Sequence, residues 1–444
     1  MRTLKKVLAL TVVLATLLSI SSFAAFSDEE SIDESFVDAV NLLGALNVMT
    51  GDTEGTFRPN DTISRAEAAK MIYVIRNGGV DDQAAGWTGM STFSDVTPGV
   101  WYEGYVNYCA SLGIIAGVGG GKFNPSGAVT GVELAKMLLV VADYKPDIEG
   151  YTGAGWNLNV IRDAQTVGMF EGYTLAYSAA ATRQQAAQLF SNAILETEMA
   201  VYIGDTRVND LSMVGSSDTI GGRFFDLEIA TGVLEQVPYV TLNETGEADL
   251  DVNNDEAVVN VTSTTATTTA GALTGDSNFV FAVEPELLYQ EVDVVYKESG
   301  NRDGLDDKDT VYSVYATGTS TVYETTMDGI TIELDDDSKD LNSTQGTTYN
   351  PATIKLEGYN GGRAKALTDA LPVVTNLYEG AQVNPATMGT HKASWDKDVY
   401  LVNEADTRML ATTSTAPVRL IDIDGNGELD VAFVTTPYYG TVSS

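Results

Sequence analysis

The sequence predicts a multidomain chain. An all-α N-terminal unit of three helix-loop-helix repeats, set around a shared axis, is followed by a mainly antiparallel β region. Three observations predict this. A Gly-containing turn, a loop and a helix opened by a Ser/Thr-x-x-Glu/Gln box recur three times in the first 200 residues. Apolar residues after each box fall at helical spacing. Beyond residue 200 that spacing gives way to short Val/Tyr/Thr-rich alternating runs divided by Gly, Asp and Asn.

Residues 1–25 read as a secretory signal peptide. Arg2, Lys5 and Lys6 form a basic start, Val7 to Ile20 is uncharged, and Ser22-Phe23-Ala24 offers small residues for cleavage. The run is short for a membrane span, so the exported chain is expected to start near Ala25 with no span left in it.

The repeats occupy 28–90, 91–148 and 149–200. Copies one and two align at a shift of 66 residues, Gly51 with Gly117 and Ser64 with Thr130; Phe57 matches Phe123 and Pro59 matches Pro125. Copy three is worn, with a shorter loop and no Phe-x-Pro element. Ser64, Thr130 and Thr182 are expected N-caps, and Glu67, Glu133 and Gln185 fall where a capping box reaches back to the cap. Met71, Ile72 and Ile75, then Leu134, Met137, Leu138 and Val141, then Leu189, Phe190 and Ile194 give each second helix its apolar stripe. First helices are expected over about Glu34 to Leu46, Trp101 to Leu112 and Asn157 to Val167. Two short helices bury little alone, whereas three pairs around one axis make a core.

Residues 201–444 read as β-rich, in one module or two. Val292 to Tyr296, Thr310 to Tyr315, Ile330 to Leu334 and Val399 to Val402 are candidate strands. Thr262 to Thr274 reads either as a link or as a Thr-rich edge strand. Asp303 to Asp309 reads as a hairpin turn, and Asp335-Asp336-Asp337 as a solvated loop.

The charge is −37, from 25 basic and 62 acidic residues, with −10 in residues 1–200 and −27 in 201–444. Such a surface repels nucleic acid and anionic lipid and attracts divalent cations. Cys109 is alone, so no intramolecular disulfide forms, and its place in a helix reads as an inert core thiol.

Copy two carries Phe93-Ser94-Asp95-Val96, Trp101, Gly113-Ile114-Ile115-Ala116-Gly117 and Phe123-Asn124-Pro125; copy one carries Ile63-Ser64-Arg65-Ala66-Glu67; copy three carries Trp156 and Thr182-Arg183. In order and spacing the pattern, over about residues 28 to 197, resembles the S-layer homology repeat. The resemblance implies a pseudo-threefold helical domain that grips a secondary cell-wall polysaccharide, often through pyruvylated sugars, and holds proteins on the bacterial surface without a covalent link. Copy one departs from the pattern at Ser35, where the others have Trp, and copy two at Gly131, where the others have Arg. The β region resembles, more loosely, regions that follow such repeats in clostridial surface proteins.

Candidate glycan-binding residues are Arg65, Arg183, Trp101, Trp156 and Asp95. An Arg at the first helical position gains little from the positive helix end, so a ligand would justify it. With free backbone N–H groups it makes an anion receptor, and a guanidinium holds a carboxylate bidentately. The plain alternative is an exposed Arg without a partner. Trp101 and Trp156 either stack on sugar faces or wedge adjacent repeats together. Asp95 either orients a groove or caps the helix near Trp101. Asp422, Asp424, Asn426, Glu428 and Asp430 alternate along a Gly-rich stretch and suit calcium, although Phe433 stands where an EF-hand has its bidentate Glu. The alternative is an Asn-Gly hairpin without metal.

Gly117 to Lys122 imitates a phosphate loop but lacks the following Ser/Thr and a βαβ setting. His391 is the only histidine, with no Gly-x-Ser-x-Gly motif and no His/Cys zinc cluster. The reading is therefore a secreted, non-enzymatic surface protein anchored to wall polysaccharide, with self-association in a surface layer as a further partner. The alternatives are an anchored polysaccharide-degrading enzyme, which needs only two facing carboxylates, or a calcium-dependent adhesin.

Overall fold

The computed structural model describes residues 26–52, 55–91, 93–208, 218–238, 240–242, 248–250, 255–265, 274–300, 304–326, 330–334, 351–356, 365–368, 407–409, 417–425 and 431–434. The expected signal peptide, the strand at Val399 to Val402, the loop at Asp335 and His391 lie outside them.

Among the described residues, six helices of nine residues or more build the N-terminal unit: α1 (Val37–Ala45), α2 (Arg65–Arg76), α3 (Glu103–Ser111), α4 (Gly131–Val141), α5 (Trp156–Thr166) and α6 (Arg183–Glu196), with a single turn of helix at Pro146–Glu149. The expected spans are met within two or three residues, and Trp101 lies in the turn just before α3. All three boxes form. Glu67 Oε2 accepts from Ser64 N at 2.8 Å, Glu133 Oε2 from Thr130 N at 2.9 Å, and Gln185 Oε1 from Thr182 N at 3.1 Å. Each cap hydroxyl in turn accepts the backbone N–H of its Glu or Gln. The stripes behind the boxes are buried, with Ile72, Ile75, Leu134, Leu138, Val141, Leu189, Phe190 and Ile194 fully enclosed.

The residues just before the boxes bind one another. Ile63 N donates to Ala181 O (3.1 Å), Ala181 N to Val129 O (2.9 Å), and Val129 N to Ile63 O (3.0 Å). Three backbone bonds thus close a ring whose side chains are all buried. Around it α2 packs on α3, α4 on α5, and α6 returns to α1. Each seam therefore joins the second helix of one repeat to the first helix of the next.

The helical core runs past residue 200. A short helix, α7 (Ile220–Phe225), adds Ile220 and Phe225, and Leu227 follows. Five of the strands that follow form one antiparallel sheet: β1 (Glu228–Gln236), β2 (Glu256–Thr264), β3 (Gly275–Val280), β4 (Glu291–Lys297) and β5 (Thr310–Ala316), in the order β3-β2-β1-β4-β5, while the short runs Val240–Leu242 and Ala248–Leu250 pair with each other. Alternation along β4 sends Val292, Val294 and Tyr296 into the sheet's own core with Leu234, Val259 and Phe279. Val295 points the other way, into the helical core, joined by Ile229, Tyr312 and Tyr315. Strands β4 and β5 pair antiparallel across a connection that runs from 298 to 309 and includes the expected turn, whose first residue, Asp303, lies outside the described residues. Of the Thr-rich tract, Thr262 to Thr264 end β2.

Two smaller antiparallel sheets follow. Strands β7 (Ile330–Leu334), β8 (Pro351–Leu356), β9 (Lys365–Thr368) and β10 (Thr407–Met409) order as β9-β8-β7-β10; β6 (Thr321–Thr326), β11 (Pro417–Asp422) and β12 (Val431–Val434) order as β6-β11-β12. Ile421 of β11 reaches the core of the five-stranded sheet. The chain thus joins helices to antiparallel sheets in the predicted order.

Candidate functional site

The seams between repeats hold Arg65, Arg183 and Trp156 among the expected glycan-binding residues. Arg65 does not stand in solvent: its side chain is 8% exposed. Its Nε donates to the Phe123 carbonyl at 2.8 Å and its Nη2 to the Ala116 carbonyl at 2.6 Å. The guanidinium lies over the Phe123 ring, 4.7 Å from its centre, and Nη1 is 3.9 Å from Glu133 Oε1. Arg183 repeats this on the first copy. Nε donates to the Phe57 carbonyl at 2.6 Å, Nη1 pairs with Glu67 Oε1 at 3.0 Å, and the Phe57 ring lies 5.2 Å away. Burial lowers both guanidinium pKa values and the facing glutamates oppose it, so both stay charged.

The free N–H groups expected beside these arginines are not free. Arg65 N and Ala66 N donate to Gly127 O and Pro125 O; Arg183 N and Gln184 N donate to Asp61 O and Pro59 O. The Phe-x-Pro loop of one repeat therefore satisfies the helix start of another, because a buried helix end must find acceptors for its first amides. The third seam does the same without an arginine. Gly131 N donates to Ala179 O and Val132 N to Tyr177 O. A Cβ at Gly131 would sit 2.4 Å from Leu175 Cδ2, so Leu175 fills the space an arginine would need. The box residue facing this seam is Gln185 instead of Glu, so the arginine and its carboxylate are lost together.

Asp95 does not cap α3, whose N-cap is Tyr102. Its carboxylate accepts the N–H groups of Phe123 and Asn124, both at 2.8 Å. Partial burial opposes ionisation, yet those two bonds hold its pKa below the usual carboxylate range. Asp28 does the same for Phe57 N (2.6 Å) and Arg58 N (2.7 Å). Phe26-Ser27-Asp28 is thus the opening of copy one, 67 residues before Phe93-Ser94-Asp95. That spacing was the signal that would have found it. Phe26 lies against Phe57 at 5.1 Å and Phe93 against Phe123 at 5.5 Å between ring centres. Gly117 lets Phe93 approach, since a Cβ there would be 2.8 Å from its ring.

The tryptophans differ. Trp101 is 56% exposed, beside Tyr102 and Tyr105. Tyr105 OH donates to Asp81 Oδ1 at 2.6 Å, and Asp81 Oδ2 pairs with Lys70 Nζ at 3.0 Å. Burial works against the Asp81 charge, but Tyr105 and Lys70 hold its pKa low. Trp156 is half-buried on the α4/α5 seam with Lys136 Nζ 5.0 Å from its ring centre. Burial lowers the Lys136 pKa, and Glu133 opposes the shift. On the α6/α1 seam Ser35 is exposed, Gln188 donates to Asn192 Oδ1 (2.7 Å), and Gln184 donates to Asp33 Oδ2 (2.7 Å). Lys70 and Lys136 stand 66 apart, the repeat shift itself, and were missed because the boxes drew the alignment.

Of the candidate calcium ligands, Asp422 is buried at the end of β11 and Asp424 is exposed beyond it. Asn426, Glu428 and Asp430 lie outside the described residues. The flanking strands pair antiparallel, Ile421 opposite Val431. Among the described residues no group of three or more His, Cys, Asp or Glu side chains is set to hold a metal. Cys109 is buried with its thiol on the Ala69 carbonyl at 3.4 Å, and burial pushes its pKa well up, as an inert thiol requires. Gly117 to Lys122 is a tight hairpin, Val118 N to Lys122 O at 2.8 Å. Among the described residues no helix is long and apolar enough to cross a membrane.

The S-layer homology domain matches residues 25–69 and 92–135, the first two repeats. A "Cell surface protein" of Thermoanaerobacter kivui is 25% identical over 434 residues, which are 96% of this chain and 51% of that protein. An "S-layer protein" of Bacillus thuringiensis subsp. finitimus is 32% identical over 147 residues, 32% of this chain and 17% of that one. An "Amylopullulanase" of Thermoanaerobacterium thermosulfurigenes is 27% identical over 187 residues, 38% of this chain and 10% of that one. The chain spans about half the length of the first of these relatives and a far smaller share of the other two.

Proposed function

We propose that this surface protein, which carries S-layer homology repeats, is held non-covalently on the cell wall by its helical unit. The ligand is an anionic secondary wall polysaccharide, with pyruvylated sugars as the expected anion. The observation that carries this reading is the repeated seam. The α4/α5 seam sets the Lys136 ammonium over the Trp156 indole, and the α2/α3 seam presents Trp101 beside Tyr105, its Lys70 already paired with Asp81. Indole faces stack on sugar rings and ammonium groups attract anions, a combination suited to an acidic glycan. The closed ring through Ile63, Val129 and Ala181 supports a pseudo-threefold arrangement of the repeats. Arg65 and Arg183 act in this reading by fixing the loops that wall the seams. Asp95 and Asp28 do so from the other side.

The test uses residues 26–444 whole, because a cut at 200 would open a core that includes Phe225, Leu227 and Val295. Retention on purified wall sacculi, lost once the polysaccharide is stripped, is the expected outcome. Equal retention on stripped sacculi would sink the reading.

The β region is proposed as a non-catalytic outward module that packs against its own copies in a surface layer. An anchored enzyme is the second reading, favoured by the likeness to an amylopullulanase, and sugar release from wall or plant glycans would establish it. Calcium is proposed at Asp422, Asp424, Asn426, Glu428 and Asp430, where hard oxygen donors alternate beside the β11–β12 hairpin. A melting temperature raised by calcium and lowered by chelator would support it. A melt unchanged by either would remove it.

A further inference from the structure

The two linkers that join successive repeats differ in length. The chain between α2 and α3 runs over 77–102, whereas that between α4 and α5 needs only 142–155. Part of the longer linker folds back across the α2/α3 seam and binds both helices. Asp81 pairs through Oδ2 with Lys70 Nζ of α2 at 3.0 Å and accepts at Oδ1 from Tyr105 OH of α3 at 2.6 Å. Asp82 Oδ1 accepts from Tyr73 OH of α2. The Trp87 ring stands edge-on to Tyr108 of α3, 5.3 Å between centres, and its carbonyl accepts from Asn107 Nδ2 at 2.8 Å. The segment thus brings an anion to the lysine and an aromatic ring to the tyrosines. Its backbone is forced into place. Gln83 and Ala84 are successive left-handed residues, φ 61° and 49°, a conformation that side-chain-bearing residues keep only where their surroundings impose it. Ala84 is fully buried, and its carbonyl fits against Gly104, where a Cβ would lie 2.5 Å from the oxygen. Glu103, 1% exposed, ties down the far end by accepting Gly89 N at 2.6 Å and Gly99 N at 2.9 Å. On the α4/α5 seam Lys136, the counterpart of Lys70, rests over Trp156 instead.

We propose that residues 81–87 are an autoinhibitory strap: the chain fills its own α2/α3 seam, with Asp81 the resident counter-ion of Lys70, and the seam stays shut until the strap is displaced. The proposal rests on the wall-anchoring reading and adds a control to it. A tethered carboxylate acts at a high effective concentration, so an outside acid competes for Lys70 at a disadvantage. Apparent affinity at this seam scales with the fraction of molecules whose strap is open. The ligand able to displace the strap is a polyanion, whose many linked acids raise the chance that one replaces Asp81.

The test follows the whole chain, 26–444, by hydrogen–deuterium exchange and by titration with polysaccharide released from sacculi. Two variants open the strap by different routes. Asp81→Asn with Asp82→Asn removes its charges, and Gly104→Ala pushes out the Ala84 carbonyl while leaving every charge in place. Each should speed exchange across 81–87 at least about tenfold while α2 and α3 stay protected. Each should also tighten polysaccharide binding at least about threefold, the gain expected when a mostly closed site opens. Adding Lys70→Gln to either variant should abolish the gain. Should one route unfold α2 or α3, the other still decides. Faster exchange without tighter binding overturns the proposal and leaves the linker a packing element. A gain that survives Lys70→Gln, or exchange unchanged in both variants, overturns it as well. All three results leave the anchoring reading intact as long as the parent binds. Absence of binding by the parent and by both opened variants overturns the anchoring reading, and the strap falls with it as a control.

Discussion

Arg183 meets Glu67 across 116 residues of chain, and nothing local to either residue announces the pairing. The sequence argument that an arginine at a helix start needs a partner was sound. The partner is internal: a carbonyl, an aromatic face and a glutamate of another repeat. Removing one member of such a nearly buried pair leaves the other without its counter-charge. Arg183→Ala should therefore cost about 3 kcal/mol in chemical denaturation. Adding Glu67→Gln should return part of that loss, as Gln185 already does beside Gly131. A double mutant no more stable than Arg183→Ala would show that the carbonyl bonds, and not the charges, dominate. At the third seam the reverse change, Gly131→Arg, should destabilise by about 1–3 kcal/mol through overpacking against Leu175.

At the scale of the element, local chemistry was legible. The boxes at Ser64, Thr130 and Thr182 form as read, because a cap and its third residue need only four consecutive positions. Ser64→Ala or Thr130→Ala should each cost about 1 kcal/mol, measurable as a lower denaturation midpoint. No loss in either would mean the ring and the loop carbonyls hold those helix starts unaided. Strands β4, β5 and β7 were legible from alternation, whereas which face of β4 meets the helices was not. Val292 and Val295 are the same residue type, and only the tertiary arrangement sends Val295 to the helical core. The roles of Asp95 and the arginines escaped for a related reason. The Nε atoms of both arginines and the Asp95 carboxylate bond to backbone atoms 28 to 126 residues away, which carry no side-chain signature.

At the scale of the whole molecule, the described carboxylates with displaced pKa values include two opposed groups. Burial raises the pKa of Asp38, Glu196 and Asp293, the second helped by Asp293 and Glu171, and a Thr231 hydrogen bond restrains the third. These groups take up protons in the folded state before they would in the unfolded one, so stability rises as pH falls from neutral through their raised values. Asp81, Asp95 and Asp306 have lowered pKa values, although burial opposes each shift. Their contribution is present above the unfolded carboxylate pKa, near about 4, and fades as pH falls below it. Net charge acts in the same sense as the first group, since −37 is relieved by protonation. The melting temperature should thus peak on the acidic side of neutral but above about pH 4. A monotonic fall from pH 7.5 downward would refute this balance.

The ring through Ile63, Val129 and Ala181 also has a consequence in time. In a linear stack each repeat is completed by the neighbour that follows it. Here the first repeat stays unfinished until the third exists, since Ile63 N–H awaits the Ala181 carbonyl and the Phe57 carbonyl awaits Arg183. A chain delivered N-terminus first therefore stays open until the third repeat arrives. Closure comes in one late step, when the residues around Ala181 to Arg183 emerge. The last and most worn copy of the repeat is the latch for the other two.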